Sequence, residues 1–269
     1  MRKWLVTAVV LGISIVPLRA DITVTQTMTM EGAAAAMMPA GQLPKMTMRI
    51  KGMKARTDIE TGGQTVTAIT DLETKQVMML MPGSTVAKVI TPESVAAGGA
   101  PLPTPEMDVS LKPTGKSQTI EGVACDEHSF TMSLNMASMG GAQMPPEAAA
   151  MMKDVSMLMN GSIWIAKTAP GAAEWMAFNK AALDSKLLSA IAGVGSQPGM
   201  DKLLEASATA AGIPYLTEMT MSFEGSGPIV DQMKQMGAMK MVQKITSVST
   251  DTIADDLFKL PAGYTIEKK

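Results

Sequence analysis

A chain of 269 residues with a formal charge of −2, one Cys, one His and 3% aromatic residues has the length for one large domain or two small ones. It lacks what nucleic-acid binding calls for, a basic surface interleaved with stacking rings. With Cys125 alone no internal disulfide can form. An oxidising compartment is therefore tolerated by this chain rather than exploited.

Residues 1–20 carry Arg2 and Lys3, an apolar run from Trp4 to Val16, and then Pro17, Leu18, Arg19 and Ala20. A positive head, an apolar stretch too short to span a bilayer and a small final residue predict a secretory signal cut after Ala20. An uncleaved single-span anchor is the other reading. Cleavage removes three cations, which takes the formal charge from −2 to −5. The expectation is an exported, periplasmic chain, with residues 21–269 forming a single domain.

From Ile22 to Met30 the chain alternates, with Ile22, Val24, Met28 and Met30 on one side, Thr23, Thr25, Thr27 and Thr29 on the other, and Gln26 as a polar exception on the apolar side. Period two of this kind predicts a half-buried strand. Glu31–Leu43 is undecided between a short helix and an insertion. Further strands are predicted around residues 46–51, 54–60, 65–70, 77–81 and 85–90, with turns at Gly52, Gly62-Gly63 and Pro82-Gly83. Six short strands with tight turns make a meander, expected to have one wet and one dry face.

The Pro/Gly-rich segment 91–116 has no sustained period and predicts a long surface connection, with a lid or partner-binding loop as the alternative. Thr119–Met136 is the plainest signal in the second half. Phe130, Met132, Leu134 and Met136 alternate with Thr131, Ser133 and Asn135, and this stretch is expected to be the central strand. Helices are predicted at 146–159, within 170–192 and at 199–211. The second of these has an apolar flank of Trp175, Phe178, Leu183, Leu187, Leu188 and Ile191. Strands at 162–167 and 215–223, a short helix at 229–236 and a strand at 239–250 complete the reading. The fold class is α+β, a curved antiparallel sheet forming a half-barrel, with the helices of 146–210 across its concave face.

Chemistry-bearing residues are few. Cys125 and His128 stand three apart with Asp126 and Glu127 between them. In a turn they could meet one metal ion, whereas on a strand they point to opposite faces. A catalytic Cys-His pair would also need an oxyanion donor and an orienting group, which the sequence does not mark. The expectation is a buried packing cysteine beside a surface or turn histidine. No phosphate loop, HExxH, GxSxG or carboxylate pair is present, and no catalytic, cofactor-binding or metal-ligating residue is assigned.

The 28 methionines are the compositional anomaly. They admit three readings: core filling, an adaptable groove for lipid or protein, or a copper(I) protein, since soft thioethers select that ion.

Glu121-Gly122-Val123-Ala124-Cys125 running into His128, Ser162-Ile163-Trp164-Ile165-Ala166, Gly212-Ile213-Pro214 and the tail Phe258-Lys259-Leu260-Pro261-Ala262-Gly263-Tyr264 together resemble a domain-of-unknown-function family of secreted bacterial proteins. That family is similar in layout to the periplasmic lipoprotein carrier LolA. The resemblance implies a curled half-barrel lined by helices that holds acyl chains, and hence a non-enzymatic binder of a lipid or lipidated peptide. It carries over no ligand-contacting residue. A closed structural or protein-interaction domain, or an enzyme of unrecognised class, are the alternatives.

Overall fold

The computed structural model describes residues 21–32, 43–97, 107–136, 154–185, 187, 210–235 and 237–267. Its strands are β1 (Ile22–Glu31), β2 (Lys45–Lys51), β3 (Lys54–Thr61), β4 (Gln64–Asp71), β5 (Gln76–Leu80), β6 (Val86–Ile90), β7 (Met107–Ile120), β8 (Val123–Asn135), β9 (Ser156–Ala166), β10 (Ile213–Glu224), β11 (Met239–Ser249) and β12 (Thr265–Ile266). Its helices are α1 (Pro92–Ala97), α2 (Ala172–Asp184) and α3 (Pro228–Gln235), with a 3-10 turn at Asp255–Phe258. All twelve strands join one open sheet in the order β12-β6-β5-β4-β3-β2-β1-β11-β10-β9-β8-β7. Every pairing is antiparallel except β12 with β6.

The six-strand meander forms as its turn chemistry predicts. Gly62 and Gly63, for instance, both take positive φ (57° and 78°), the geometry a two-residue hairpin needs. Its expected single dry face is a correction, because both faces are covered. On one face, Ile22, Val24, Ile50, Ala55 and Val77 join the largest core cluster with Phe178 and Ala182 of α2 and with Leu187. On the other, Ile69, Leu80 and Ala87 are capped by Ile253 and Phe258, with Leu257, Leu260 and Tyr264 packed around them. The chain's last segment thus crosses to the side that α2 leaves bare.

Both covers are pinned. Gly171, ahead of α2, has φ 73°, and a β-carbon there would stand 2.6 Å from the Ile22 side chain. Only glycine allows that close approach of helix start and strand. The tail is clipped by Lys51, whose Nζ donates to the Ile253 carbonyl at 2.7 Å and pairs with Asp255 at 2.7 Å. Asp21 accepts the Ile253 N–H at 2.6 Å.

Three further expectations are corrected. The supposed surface connection 91–116 contains α1 and the first ten residues of β7. Pro113 and Gly115 hide that strand in the sequence, and they are tolerated because β7 is the sheet's edge and its register slips between Pro113 and Ser117. The helix expected at 146–159 is strand from Ser156 onward, because Met157, Met159 and Gly161 pair with β8 and β10. Finally, β8 is not central but lies next to the edge. Residues 1–20, most of 31–43, 98–106, 146–153 and the helix expected at 199–211 lie outside the described residues, apart from Ala210 and Ala211. The helices at 172–184 and 228–235 agree with the expected ones.

Candidate functional site

Cross-strand register puts the methionines on one face. Directly paired residues share a side of the sheet, and one row runs Phe130–Gly161–Met219–Met241–Met30 across β8, β9, β10, β11 and β1. Two residues along, a second row runs Val109–Met132–Met159–Met221–Met239 from β7 to β11. A third joins Leu134, Met157 and Phe223.

By strand alternation this is also the face of Ile22 and Val24, so β1 runs from a sealed aliphatic end to an end carrying Met28 and Met30. Phe130, Met132 and Leu134 on β8 are buried. Met28, Met30, Met157, Met159, Met219, Met221, Met239 and Met241 are only half-buried. None of Met28, Met30, Met219, Met221, Met239 and Met241 belongs to a core cluster of the described residues.

The gap in the first row has a steric cause. A β-carbon on Gly161 would collide with the Glu218 carbonyl oxygen and come within 2.8 Å of the Phe130 ring, so the ring lies where a side chain at 161 would stand. The reverse face of the same strands is polar. Ser110, Thr131, Asn160, Thr220, Lys240 and Glu31 form a row there, and Lys240 pairs with Glu218 at 3.3 Å. A groove of about 270 Å³ on β7–β9 is lined by Ser110, Thr131, Ser133, Asn160 and Leu158, with Val109 and Met132.

Cys125 is 1% exposed within the main core cluster, and its thiol donates to the Val123 carbonyl at 3.5 Å. Burial pushes the thiol pKa up, against a backbone hydrogen bond near Ile120 and with help from the Asp126 charge. His128 corrects the expected exposed ring, since it is 8% exposed and pairs with Ile163 on the methionine face. Alternation sends Cys125 to the other side, so the strand does not bring the pair together. The neighbouring carboxylates are tied elsewhere, Asp126 to Ser117 and Lys167 and Glu127 to Thr114 and Lys116.

Asp58 is a polar residue the sequence did not single out. It is 8% exposed and accepts from Arg49 (2.6 Å), from Arg56 Nε (3.0 Å) and from the Thr67 hydroxyl (2.6 Å). Its register partners Thr47 and Thr67 are buried with it. Burial alone would raise its pKa. The hydrogen bonds from Arg56 and Thr67, the Arg56 charge and the Arg49 bond outweigh that and hold the carboxyl below its ordinary value. Arg56 also reaches the Leu257 carbonyl at 3.4 Å, which makes the cluster a strut between sheet and tail. The sequence signal that could have found it was Asp58 on β3 with Arg56 two residues before it on the same side and Arg49 on the neighbouring strand.

No protein-family model matches the chain, and no curated protein matches it in sequence. Among the described residues no three His, Cys, Asp or Glu side chains cluster as a metal site, and no helix is long and apolar enough to cross a membrane.

Proposed function

We propose that this chain is a non-enzymatic binder of an apolar ligand, an acyl chain or a lipidated peptide, taken on the methionine-lined face of β8–β11 and β1. The observation that carries the reading is the set of half-buried methionines in the two rows, Met30, Met219, Met221, Met239 and Met241, which extend a packed face without joining a core cluster of the described residues. Flexible thioether side chains suit a surface that repacks around varied apolar shapes.

We read the sheet as curled into a half-barrel, with α2 against its Ile22 face. Supporting this, Glu121 in the β7–β8 turn pairs with Lys244 on β11 at 2.6 Å, although β9 and β10 intervene in the sheet. A flat sheet would separate β8 from β11 by about 14 Å. Export to the periplasm accords with the leader-like residues 1–20 and with a lone thiol kept buried.

Native mass spectrometry of chain purified from a cell-envelope fraction, followed by titration with a fluorescent fatty acid, tests the reading. Copurifying lipid and saturable probe binding that weakens in Met219→Lys and Met221→Lys are expected. Absence of both, or binding indifferent to these charges, would discard it in favour of a closed protein-interaction domain.

A further inference from the structure

We propose that the two methionine rows form a copper(I) site built from thioethers alone, with Met241 flanked by Met30 and Met219 in one row, and Met221 flanked by Met159 and Met239 in the next. The site shares its surface with the apolar-ligand reading and does not depend on it. Four observations carry it.

First, the sulfurs are gathered by register. In each row three methionines occupy directly paired positions on adjacent strands, with Cβ atoms about 4.5–5.5 Å apart. Three rotatable bonds per side chain let neighbouring sulfurs converge. Second, the six residues are half-buried, so an ion can reach them while the surrounding face stays largely dry. Third, the donor set is chemically pure. The charged residues of these strands, Glu31, Glu218, Glu224, Lys240 and Lys244, lie on the reverse face, and the imidazole of the methionine face, His128 on β8, stands outside the two rows, opposite Ile163. A neutral thioether cluster without carboxylate disfavours hard divalent ions and suits a soft monovalent one. Fourth, the pairing of methionines is local. Met48, Met53 and Met79 pack singly against the main cluster at the other end of the face, so apolar filling alone does not explain why six directly paired positions carry sulfur here.

Thioethers do not titrate. Binding should therefore hold across about pH 5 to 8, where a thiolate or imidazole site would lose its ion on acidification. Anaerobic titration of the purified chain with copper(I), against a chromogenic copper(I) chelator, reads the affinity. Leucine is the informative replacement because it keeps volume and apolarity and removes only sulfur.

The expected result is that the native chain withdraws copper(I) from the chelator equally at both ends of that pH range. The variant with leucine at all six positions should lose at least about tenfold in affinity while keeping the circular-dichroism spectrum of the native chain. Should six substitutions unfold the chain, the variant Met30→Leu/Met219→Leu/Met241→Leu, checked by circular dichroism, is read instead and should lose part of the capacity. Copper(I) left on the chelator by the native chain, undiminished competition by the folded leucine variant, or loss of binding at the acid end would each overturn the proposal. Failure of the native chain to bind the fluorescent fatty acid would count against the apolar-ligand reading and leave the metal result standing.

Discussion

The two ends of β1 teach more than any other pair of regions. Around Ile22 and Val24 the strand is sealed by α2 on one face, and the tail of residues 253–264 covers the opposite face of the sheet at β4–β6. Around Met28 and Met30 the same strand, with the same alternation, carries half-buried thioethers on one face and a polar row on the other. Along β1, stiff β-branched side chains stand where the cover is permanent, and flexible ones stand where it is not. Burial alone does not make that choice, since period two is equally clear at both ends.

The comparison breaks most visibly if the sealed half proves expendable. Phe258→Ala empties the centre of the tail-side core and should cost about 3–5 kcal/mol. Asp58→Ala strands Arg49 and Arg56 beside it and should cost a similar amount, about 3–5 kcal/mol. Urea midpoints for these variants against Met241→Ala, expected near 1 kcal/mol for a half-buried residue outside any core cluster, measure the contrast directly. Equal costs would mean that the methionine face is as firmly packed as the other.

Asp58 also gives the sealed half a pH signature. Its carboxyl is held below the ordinary value in the folded chain, so the folded state resists protonation more than the unfolded state does. The stabilisation is complete above the unfolded Asp value of about 3.9 and is lost as pH falls through the lower folded value. Thermal melts between pH 7 and 2.5 should therefore steepen in their decline below about pH 4 for the native chain. Asp58→Asn, less stable at neutral pH, should show a shallower acid decline. Parallel curves for the two would remove the network from the account.

Gly161 tests the contrast from the other side, as a position where the methionine half is tightly built. Adding a β-carbon drives it into the Glu218 carbonyl and the Phe130 ring, so Gly161→Ala should cost about 1–3 kcal/mol. It should also shift the Phe130 ring resonances. Cys125→Ala, within the main cluster, vacates less volume and should cost about 1–2 kcal/mol, at or below the bottom of the range for core truncations. Its thiol, buried and with its pKa pushed up, should label slowly in the folded chain at pH 8, and rapid labelling would contradict its burial.

Much of this fold was legible because period two and glycine-marked turns are local signals. The strands from Ile22 to Ile90 and the helix around Phe178 follow from them. What was illegible depends on partners distant in sequence. β7 was hidden by Pro113 and Gly115, which only an edge position with a register slip accommodates. The start of β9 resembled a helix because Met157 and Met159 carry no β-branching, and their strand state comes from β8 and β10 on either side. The tail 258–264 read as a family marker, and its packing role at Phe258 and Tyr264 became visible only once the sheet face it covers was known. The methionine rows were visible one strand at a time. Their convergence required the order β1-β11-β10-β9-β8, which no single stretch encodes.

The smallest expected effect is the most discriminating for that face. Met241→Leu preserves volume and apolarity, so in a half-buried row it should change stability by less than about 1.5 kcal/mol. Ile22→Leu moves a methyl group on a 0%-exposed side chain in contact range of Gly171. It should cost more than the methionine change although it is the more conservative swap on paper, because the helix start leaves no room for repacking. Paired urea melts with matched slopes decide the order of the two. If Met241→Leu is the costlier, the thioether is a fixed packing element, and the distinction between a sealed and an adaptable end of β1 falls with it.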